Sequence, residues 1–315
     1  MGESTQKDAA SNGRIIDFMG QRFVAMLFSA ILLVGSIVSL AVNGLQFGLD
    51  FTGGLQIEAQ FSEPADLQRI RNSLASNDFE DAVVVHFGAD TEVMVRMQQD
   101  LTAGIDQQVL SVLKQATDDE VVLKRTEFVG PQVGDELRDQ GGIGLLFALA
   151  VVMVYVALRF QFKFSVGAVA ALIHDVIIVL GFFSIFKLDF DLTVLAAVLA
   201  VIGYSLNDTI VVSDRIRENF RKVRKGTPLD VINQSLTQTL GRTLVTSLTT
   251  LLVLLALFFV GGELIHSFAT ALIIGIIVGT YSSIYVAANT LLLMHISKED
   301  LMVPEKEGVE LDELP

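Results

Sequence analysis

Residues 192–219 read LTVLAAVLAVIGYSLNDTIVVSDRIREN, an apolar run that contains Asn207 and Asp208 and then turns basic. Its apolar part, 192–212, has about the 20 residues that a helix needs to cross a hydrocarbon core of about 30 Å. A charged side chain inside such a helix costs at least about 2.5–3.5 kcal/mol. The stretch therefore predicts a membrane-spanning helix in which Asp208 is a candidate functional residue.

Five further apolar segments accompany this helix. The chain of 315 residues is 51% hydrophobic and only 18% charged, with a mean hydropathy of +0.56. This composition excludes a soluble, a nucleic-acid-binding and a disulfide-rich secreted protein. The predicted fold class is an α-helical polytopic membrane protein with six transmembrane helices. Residues 141–296 carry helices two to six, and the five further segments cover 23–42, 142–160, 165–186, 244–260 and 269–294.

Residue types that bind metals or act as nucleophiles are scarce. The chain has no cysteine, which excludes disulfides, thiolate metal sites and cysteine nucleophiles. Its four histidines are scattered, without the short spacing that metal sites use. No Gly-x-x-x-x-Gly-Lys pattern supports a nucleotide site. We therefore predict no metal, no cofactor and no enzymatic activity.

The Lys and Arg content of the short loops predicts the side of the membrane that each loop faces. Arg159 and Lys163 lie in the short connection between helices two and three, and the loop between helices four and five is rich in Lys and Arg. Both loops are therefore expected in the cytoplasm. The remaining short loops are acidic or neutral and are expected outside. Residues 1–22 and 297–315 then lie in the cytoplasm, and the acidic tail is predicted to be disordered. The bases of the fourth-to-fifth loop are Arg215, Arg217, Arg221, Lys222, Arg224 and Lys225.

Residues 43–140 have the composition of an ordinary soluble domain and are expected on the external, periplasmic side. Strand patterns cover 55–61, 83–87, 91–97 and 120–129, the middle two joined by a Gly88-Ala89-Asp90 turn. One helix pattern begins at residue 63, and a second covers 103–115. The order βαββαβ predicts one external ferredoxin-like α/β domain between helices one and two.

Polar residues occupy the interior of two antiparallel membrane helices. His174 and Asp175 lie in the third helix, and Asn207 and Asp208 lie in the fourth. Each aspartate is on the order of seven to eleven residues from a basic helix end, which places both at a similar depth. We expect the two carboxylates to share one polar site if the helices are neighbours.

Arg242, at the predicted start of the fifth helix, is a candidate partner for Asp208. Burial favours the neutral form of a carboxyl group and a nearby guanidinium favours the charged form, so a small motion can switch protonation. Two alternatives stay open. Asp208 can serve only as a polar contact between helices, and Arg242 can anchor the helix at the lipid headgroups.

Small and hydroxyl-bearing residues recur at helical spacing in the last two helices. Thr246 and Thr249 follow Arg242 at intervals of three and four residues, which predicts a polar stripe that can line water. Threonines that bond to their own helix are an equally good reading of this stripe. In the sixth helix a small-residue face predicts close packing on a neighbouring helix. That face consists of Gly275, Gly279, Ser283 and Ala287.

The segment 47–54, FGLDFTGG, follows the first helix. Gly48, Gly53 and Gly54 permit the bends between the membrane helix and the first strand, and Asp50 can cap a turn. A structural role is the simplest reading of this segment. A hinge that transmits movement between the membrane and the external domain is compatible with that role.

Three stretches of the chain resemble the SecF family of the bacterial Sec translocase. They are FGLDFTGG at 47–54, VIGYSLNDTIVVSDRIREN at 201–219 and SLTQTLGRT at 235–243. The resemblance runs from about residue 14 to 297. It implies one half of an RND-superfamily transporter in the bacterial inner membrane.

The resemblance also implies partners and residue roles. The partners are the SecD subunit, the SecYEG channel, SecA, an unfolded preprotein and the lipid bilayer, with no nucleic acid. Proton influx would drive motions of the external domains that promote preprotein export. On the matched positions, Asp208 is implied as the proton-pathway carboxylate with Arg242 as its partner, and His174, Asp175 and Asn207 belong to the same pathway.

Two other functions remain as alternatives. An RND-type efflux half-transporter has the same helices, although complete efflux pumps carry about twelve helices and two large external loops. An intramembrane aspartyl protease also uses two aspartates on adjacent helices. Its second aspartate follows Gly-x-Gly, whereas Asp208 follows Tyr204-Ser205-Leu206-Asn207.

Overall fold

The computed structural model describes residues 15–98, 104–117, 120–223, 226–297 and 300. The predictions for residues 1–14, for Arg224 and Lys225 and for most of the acidic tail lie outside these residues. The helices are α1 (Arg22–Asn43), α2 (Leu49–Thr52), α3 (Leu67–Ala75), α4 (Ile105–Thr117), α5 (Pro131–Arg159), α6 (Phe162–Phe186), α7 (Leu192–Lys222), α8 (Pro228–Val260) and α9 (Glu263–Leu293). The strands are β1 (Gln46–Phe47), β2 (Gly54–Phe61), β3 (Val83–Phe87), β4 (Ala89–Met97), β5 (Val121–Val129) and β6 (Asp189–Phe190).

The described chain contains six helices that are long and apolar enough to cross a membrane, which confirms the predicted number. They are α1, α5, α6, α7, α8 and α9. In the 18-residue apolar stretch of each membrane helix, the buried share is 56% for α6, 50% for α7 and 44% for α9. The corresponding share is 17% for α1, 6% for α5 and 17% for α8. The centre of the bundle is therefore built from α6, α7 and α9.

Two membrane helices begin well before their apolar segments. Helix α5 starts at Pro131, and α8 starts at Pro228 after a capping box between Thr227 and Asp230. Proline fits the first turn of a helix because its missing N–H has no partner there. Arg242 consequently lies well inside α8, and its predicted position at the start of the fifth helix is wrong.

Residues 54–129 form a sheet domain with the predicted element order βαββαβ. The sheet has the strand order β3-β4-β2-β5, and every neighbouring pair is antiparallel. Alternate residues of β2, such as Leu55 and Ile57, pack with Ile70 of α3 and Val109 of α4 in one core. The period of two in β2 therefore determines which face the helices cover. The ferredoxin-like assignment of this domain stays a prediction.

The segment 46–54 joins the sheet domain to the membrane helices. Strand β1 pairs with β6 in parallel, and Asp50 Oδ2 accepts a hydrogen bond of 3.1 Å from the Leu192 N–H at the start of α7. Gly53 and Gly54 have φ values of +67° and +114°. A Cβ on Gly54 would lie 2.4 Å from the Met97 carbonyl oxygen. Gly48 has an ordinary φ of −70°, and its Cβ would lie 3.0 Å from Asp191 Cβ, so Gly48 provides space rather than a bend.

An ion pair connects the sheet domain with the α6–α7 loop. Arg96 of β4 donates hydrogen bonds of 2.8 and 3.4 Å to the two carboxylate oxygens of Asp189 in β6. The side chains are 15% and 32% exposed. This two-point contact fixes the orientation of the sheet relative to the ends of α6 and α7.

Removing this ion pair is expected to loosen the contact between the sheet domain and the bundle. In Arg96→Gln we expect the amide of Gly48, which donates to Phe190 O at 2.9 Å, to exchange about fivefold faster. That factor corresponds to about 1 kcal/mol for a partly exposed pair. Hydrogen exchange followed by mass spectrometry measures it. The charge swap Arg96→Asp with Asp189→Arg should restore slow exchange, and an unchanged rate in Arg96→Gln would contradict the assigned role.

Candidate functional site

Asp208 lies in the centre of the bundle on α7 and is 7% exposed. Its carboxylate accepts a hydrogen bond of 2.7 Å from the Thr243 hydroxyl of α8. It accepts another of 2.8 Å from the Ser283 hydroxyl of α9. Three helices therefore meet at this one carboxylate.

Asp175 of α6 is fully buried and has three polar neighbours. The Nδ1 atom of His174 lies 2.9 Å from Asp175 Oδ1. The hydroxyls of Ser205 and Ser282 donate to Asp175 Oδ2 at 2.5 and 2.8 Å. The second ring nitrogen of His174 is buried and has no hydrogen-bond partner among the described residues.

The two carboxylates belong to one polar network. Ser282 and Ser283 are consecutive residues of α9, and they donate to Asp175 and Asp208 respectively. Ser205, which donates to Asp175, lies one helical turn before Asp208 on α7. The structure thus brings together the two aspartates that the sequence placed at a similar depth.

The hydrogen bonds to these carboxylates from other helices come from neutral hydroxyls. No Lys or Arg forms an ion pair with Asp175 or Asp208 within the described part of the chain. A hydroxyl donates to an ionised carboxylate and can also accept from a protonated one. Each hydroxyl can therefore bond to its carboxyl group in either protonation state, with a stronger hydrogen bond to the charged form.

The predicted pairing of Arg242 with Asp208 is not observed. Arg242 is exposed on α8, and the next residue, Thr243, is the one that contacts Asp208. Adjacent residues of a helix point about 100° apart, so only one of the two can face α7. Asn207, next to Asp208, is exposed for the same reason.

The Thr246 and Thr249 stripe does not line the carboxylate network. Both residues are exposed, and their hydroxyls donate to carbonyl oxygens of their own helix, including Arg242 O at 3.1 Å and Val245 O at 2.8 Å. Back-bonding of this kind is the simpler of the two readings of the pattern. We call Asn207 of α7 with Arg242, Thr246 and Thr249 of α8 the open polar face, because all four are exposed polar residues of these two helices.

The small-residue face of α9 packs within this chain. A Cβ on Gly275 would lie 2.1 Å from Val201 Cγ2 of α7, and one on Gly279 would lie 3.0 Å from Ser205 Cβ. Ala287 is 3% exposed. A Cβ on Gly167 of α6 would lie 3.1 Å from the Ala287 carbonyl oxygen. Ser283 belongs to the site rather than to packing alone.

Gly275→Ala is expected to separate α7 from α9. The added Cβ meets a β-branched side chain, which has little rotamer freedom to move away. Overpacking of this kind costs about 1–3 kcal/mol, so the thermal unfolding midpoint should fall. Gly35→Ala on α1 is the matched control, since nothing lies within 4 Å of its Cβ. Equal midpoints for the two variants would contradict the close packing.

Ser205 and Ser282 were not identified from the sequence as hydrogen-bond donors to Asp175. Both are fully or almost fully buried, at 2% and 0% exposure. A usable signal existed in the sequence, because Ser205 precedes Asp208 by one turn and Ser282 adjoins Ser283. Within the described residues, no group of three His, Asp or Glu side chains is arranged to hold a metal ion.

Two parts of the chain match known families. Residues 108–297 match the protein export membrane protein SecD/SecF, C-terminal family, and residues 38–65 match the SecD/SecF GG motif. The protein translocase subunit SecF of Vibrio alginolyticus is 52% identical over 307 residues, covering 96% of this chain and 98% of that protein. The SecF subunit of Pseudomonas aeruginosa is 49% identical over 301 residues, covering 95% and 98%.

Solved structures agree with the fold. The crystal structure of SecDF from Thermus thermophilus, a translocon-associated membrane protein, matches 90% of this chain with a TM-score of 0.82 at 35% identity. SecDF in its super-membrane-facing form matches 89% with a TM-score of 0.66 at 36% identity. In both cases this chain spans only 39% of the SecDF chain.

The six-helix bundle defines a multi-pass protein of the bacterial inner membrane. Its matched regions contain both the segment that joins the sheet domain to the bundle and the two buried carboxylates. The chain belongs to the SecD/SecF family of protein export membrane proteins.

Proposed function

We propose that this chain is an auxiliary subunit of the Sec translocase that uses the proton-motive force to promote preprotein export. It acts with SecD, beside the SecYEG channel and SecA, on an unfolded preprotein. The names of its relatives support a translocase role. The observation that carries the proton-driven mechanism is the buried Asp175 and Asp208 pair, held by neutral hydroxyls in the centre of the bundle.

The energetics of one proton suit a conformational motor. One charge that crosses 100 mV releases about 2.3 kcal/mol, so a proton falling through ~150 mV releases roughly 3–4 kcal/mol. That free energy biases a two-state equilibrium by about a few hundredfold. Protonation of Asp208 removes the charge that orients Thr243 and Ser283, so it weakens the contact of α7 with α8 and α9.

The open polar face is the proposed contact with SecD. Polar and charged side chains facing lipid are costly, and Arg242 lies well within the membrane helix α8. Covering this face with a second helical subunit removes that cost and brings Arg242 to acidic groups of the partner. The SecDF chain, of which this chain matches 39%, has enough further sequence to supply such a subunit.

The sheet domain is proposed to lie in the periplasm and to bind extended polypeptide transiently, with both termini of the chain in the cytoplasm. Within the described part of the chain, its outer strands β3 and β5 each pair with a strand on one side only. A free strand edge can accept an extended chain by strand addition. The rigid segment 46–54 then transmits motion of α7 to the sheet, since Asp50 caps that helix.

Neither alternative function is favoured by a specific contact. An aspartyl protease needs two carboxylates that share one proton, whereas Asp175 and Asp208 bond to separate hydroxyls. Efflux of small molecules would show itself as drug sensitivity of a strain that lacks the chain.

Preprotein transport into inverted membrane vesicles tests the proposal. Vesicles lacking this chain should keep ATP-driven transport and lose most of the increment produced by the proton-motive force. Vesicles with the restored chain should regain that increment, and a protonophore should abolish it. An equal increment in vesicles with and without the chain would contradict the proposed function.

A further inference from the structure

The two serines of α9 each have two acceptors within reach of a single hydroxyl proton. Ser282 Oγ lies 2.8 Å from Asp175 Oδ2 and 3.1 Å from Gly279 O of its own helix. Ser283 Oγ lies 2.8 Å from Asp208 Oδ2 and 3.0 Å from Thr280 O. A serine hydroxyl has one proton to donate and two lone pairs, so the two acceptors of each serine compete for a single proton.

The state of the carboxyl group decides which acceptor receives the proton. An ionised carboxylate is a stronger acceptor than a backbone carbonyl, because charge-assisted hydrogen bonds are about twice as strong. A protonated carboxyl group can instead donate to the serine oxygen, and the serine proton then turns to the carbonyl three residues back. This reversal begins with rotation of the serine hydroxyl, and it replaces a charge-assisted hydrogen bond between two helices with a weaker neutral one.

We propose that Ser282 and Ser283 act as a hydrogen-bond switch through which α9 responds to the protonation of Asp175 and Asp208. Both serines are fully buried, so water does not compete for their protons. They are consecutive, so one turn of α9 contacts the carboxylates of both α6 and α7. The serines are positioning residues, and the proposal rests on the proposed proton-carrying role of Asp208.

Other titratable groups near the site do not replace the serines. His174 contacts Asp175, and the buried hydroxyl of Tyr204 has no hydrogen-bond partner in the described chain. Tyr281 bonds to Ser29 and to Ala25 O on α1, while Arg242 is exposed. Among the described residues, α1 and α5 bring no titratable side chain into hydrogen-bond contact with either carboxylate.

Infrared titration of the full chain in membrane vesicles containing its partner subunit tests the switch. The C=O band of protonated Asp208 is identified by its loss in Asp208→Asn, and its midpoint is followed against pH. Removing a hydrogen bond from the charged form makes the carboxylate easier to protonate. The serine also bonds to the protonated form, although more weakly, so in Ser283→Ala we expect the midpoint to move upward by about one pH unit.

Two further variants separate the hydroxyl from the packing. Ser283→Thr keeps the hydroxyl and should return the midpoint to that of the parent chain. Ser247→Ala is the matched control, because Ser247 is buried and its hydroxyl bonds to the Thr280 hydroxyl at 2.7 Å and, among the described residues, to neither carboxylate. Its midpoint should not change.

An unchanged midpoint in Ser283→Ala, or no recovery in a correctly assembled Ser283→Thr, would overturn the switch. The infrared readout reports protonation of Asp208 whether or not export depends on it. Loss of the force-dependent increment in Asp208→Asn with an unshifted band in Ser283→Ala would therefore reject the switch and leave the proposed function intact. A shifted band in Ser283→Ala together with an intact increment in Asp208→Asn would support the hydrogen bond of Ser283 to Asp208 and reject the proposed role of Asp208 in export.

Discussion

Asp208→Asn should abolish the force-dependent part of preprotein export while leaving ATP-driven transport in place. Asparagine keeps the size of the side chain, and its oxygen can accept from one of the Thr243 and Ser283 hydroxyls while its amide N–H donates to the other. It cannot take up or release a proton. We expect the increment in inverted vesicles to fall at least about tenfold, which corresponds to a rise of about 1.4 kcal/mol or more in the barrier of the force-dependent step. Membrane levels and association with the partner subunit are measured in parallel.

Asp214→Asn is the matched control for this experiment. Asp214 lies on the same helix, is partly exposed and pairs with Arg159 at 3.8 Å outside the carboxylate network. Its export increment should stay within about twofold of the parent chain, since exposed ion pairs contribute little. A normal increment in well-assembled Asp208→Asn would show that Asp208 only holds helices together, and Asp175 or the partner subunit would then have to carry the proton.

Gly54→Ala should disrupt the join between the sheet domain and the bundle. The new methyl group would lie 2.4 Å from the Met97 carbonyl oxygen, and alanine is strained at a φ of +114°. Strain of about 1–3 kcal/mol and overpacking of a similar size add to roughly 2–6 kcal/mol. The sheet domain should become sensitive to limited proteolysis, and export should fall with it.

Gly44→Ala separates backbone strain from steric conflict. Gly44 also has a positive φ, +68°, yet nothing lies within 4 Å of its Cβ. Its variant should show only backbone strain, of about 1–3 kcal/mol, because a φ of +68° with a ψ of −165° lies in a region that essentially only glycine adopts. If Gly54→Ala were no more sensitive to protease than Gly44→Ala, the close approach of β2 to Met97 would not matter for the join.

Much of the fold could be predicted because its physical signals are local. The membrane helices follow from apolar length, and the strands of the sheet domain follow from alternation with a period of two. Helix starts were harder to predict. The first turns of α8, residues 228–243, mix apolar and polar residues, so they are not part of a continuous apolar run of membrane length. The capping box between Thr227 and Asp230 marks the start of this helix at Pro228.

The candidate site was predictable in part. The cost of burial identifies Asp175 and Asp208 from sequence alone, and the structure places them in one network. The partner of Asp208 was not predictable, because the choice between Arg242 and Thr243 depends on the rotation of α8 about its axis. That rotation is set by packing of α8 on α7 and α9, which involves residues distant in the sequence.

Proton uptake by reconstituted vesicles is the most direct test of the central claim, that the buried carboxylates carry protons. The chain and its SecD partner are placed in liposomes containing a pH-sensitive dye, and an inside-negative potential is imposed. We expect the interior to acidify with the parent chain and to stay at the level of protein-free liposomes with Asp208→Asn. Equal acidification by the parent chain and by Asp208→Asn would contradict it.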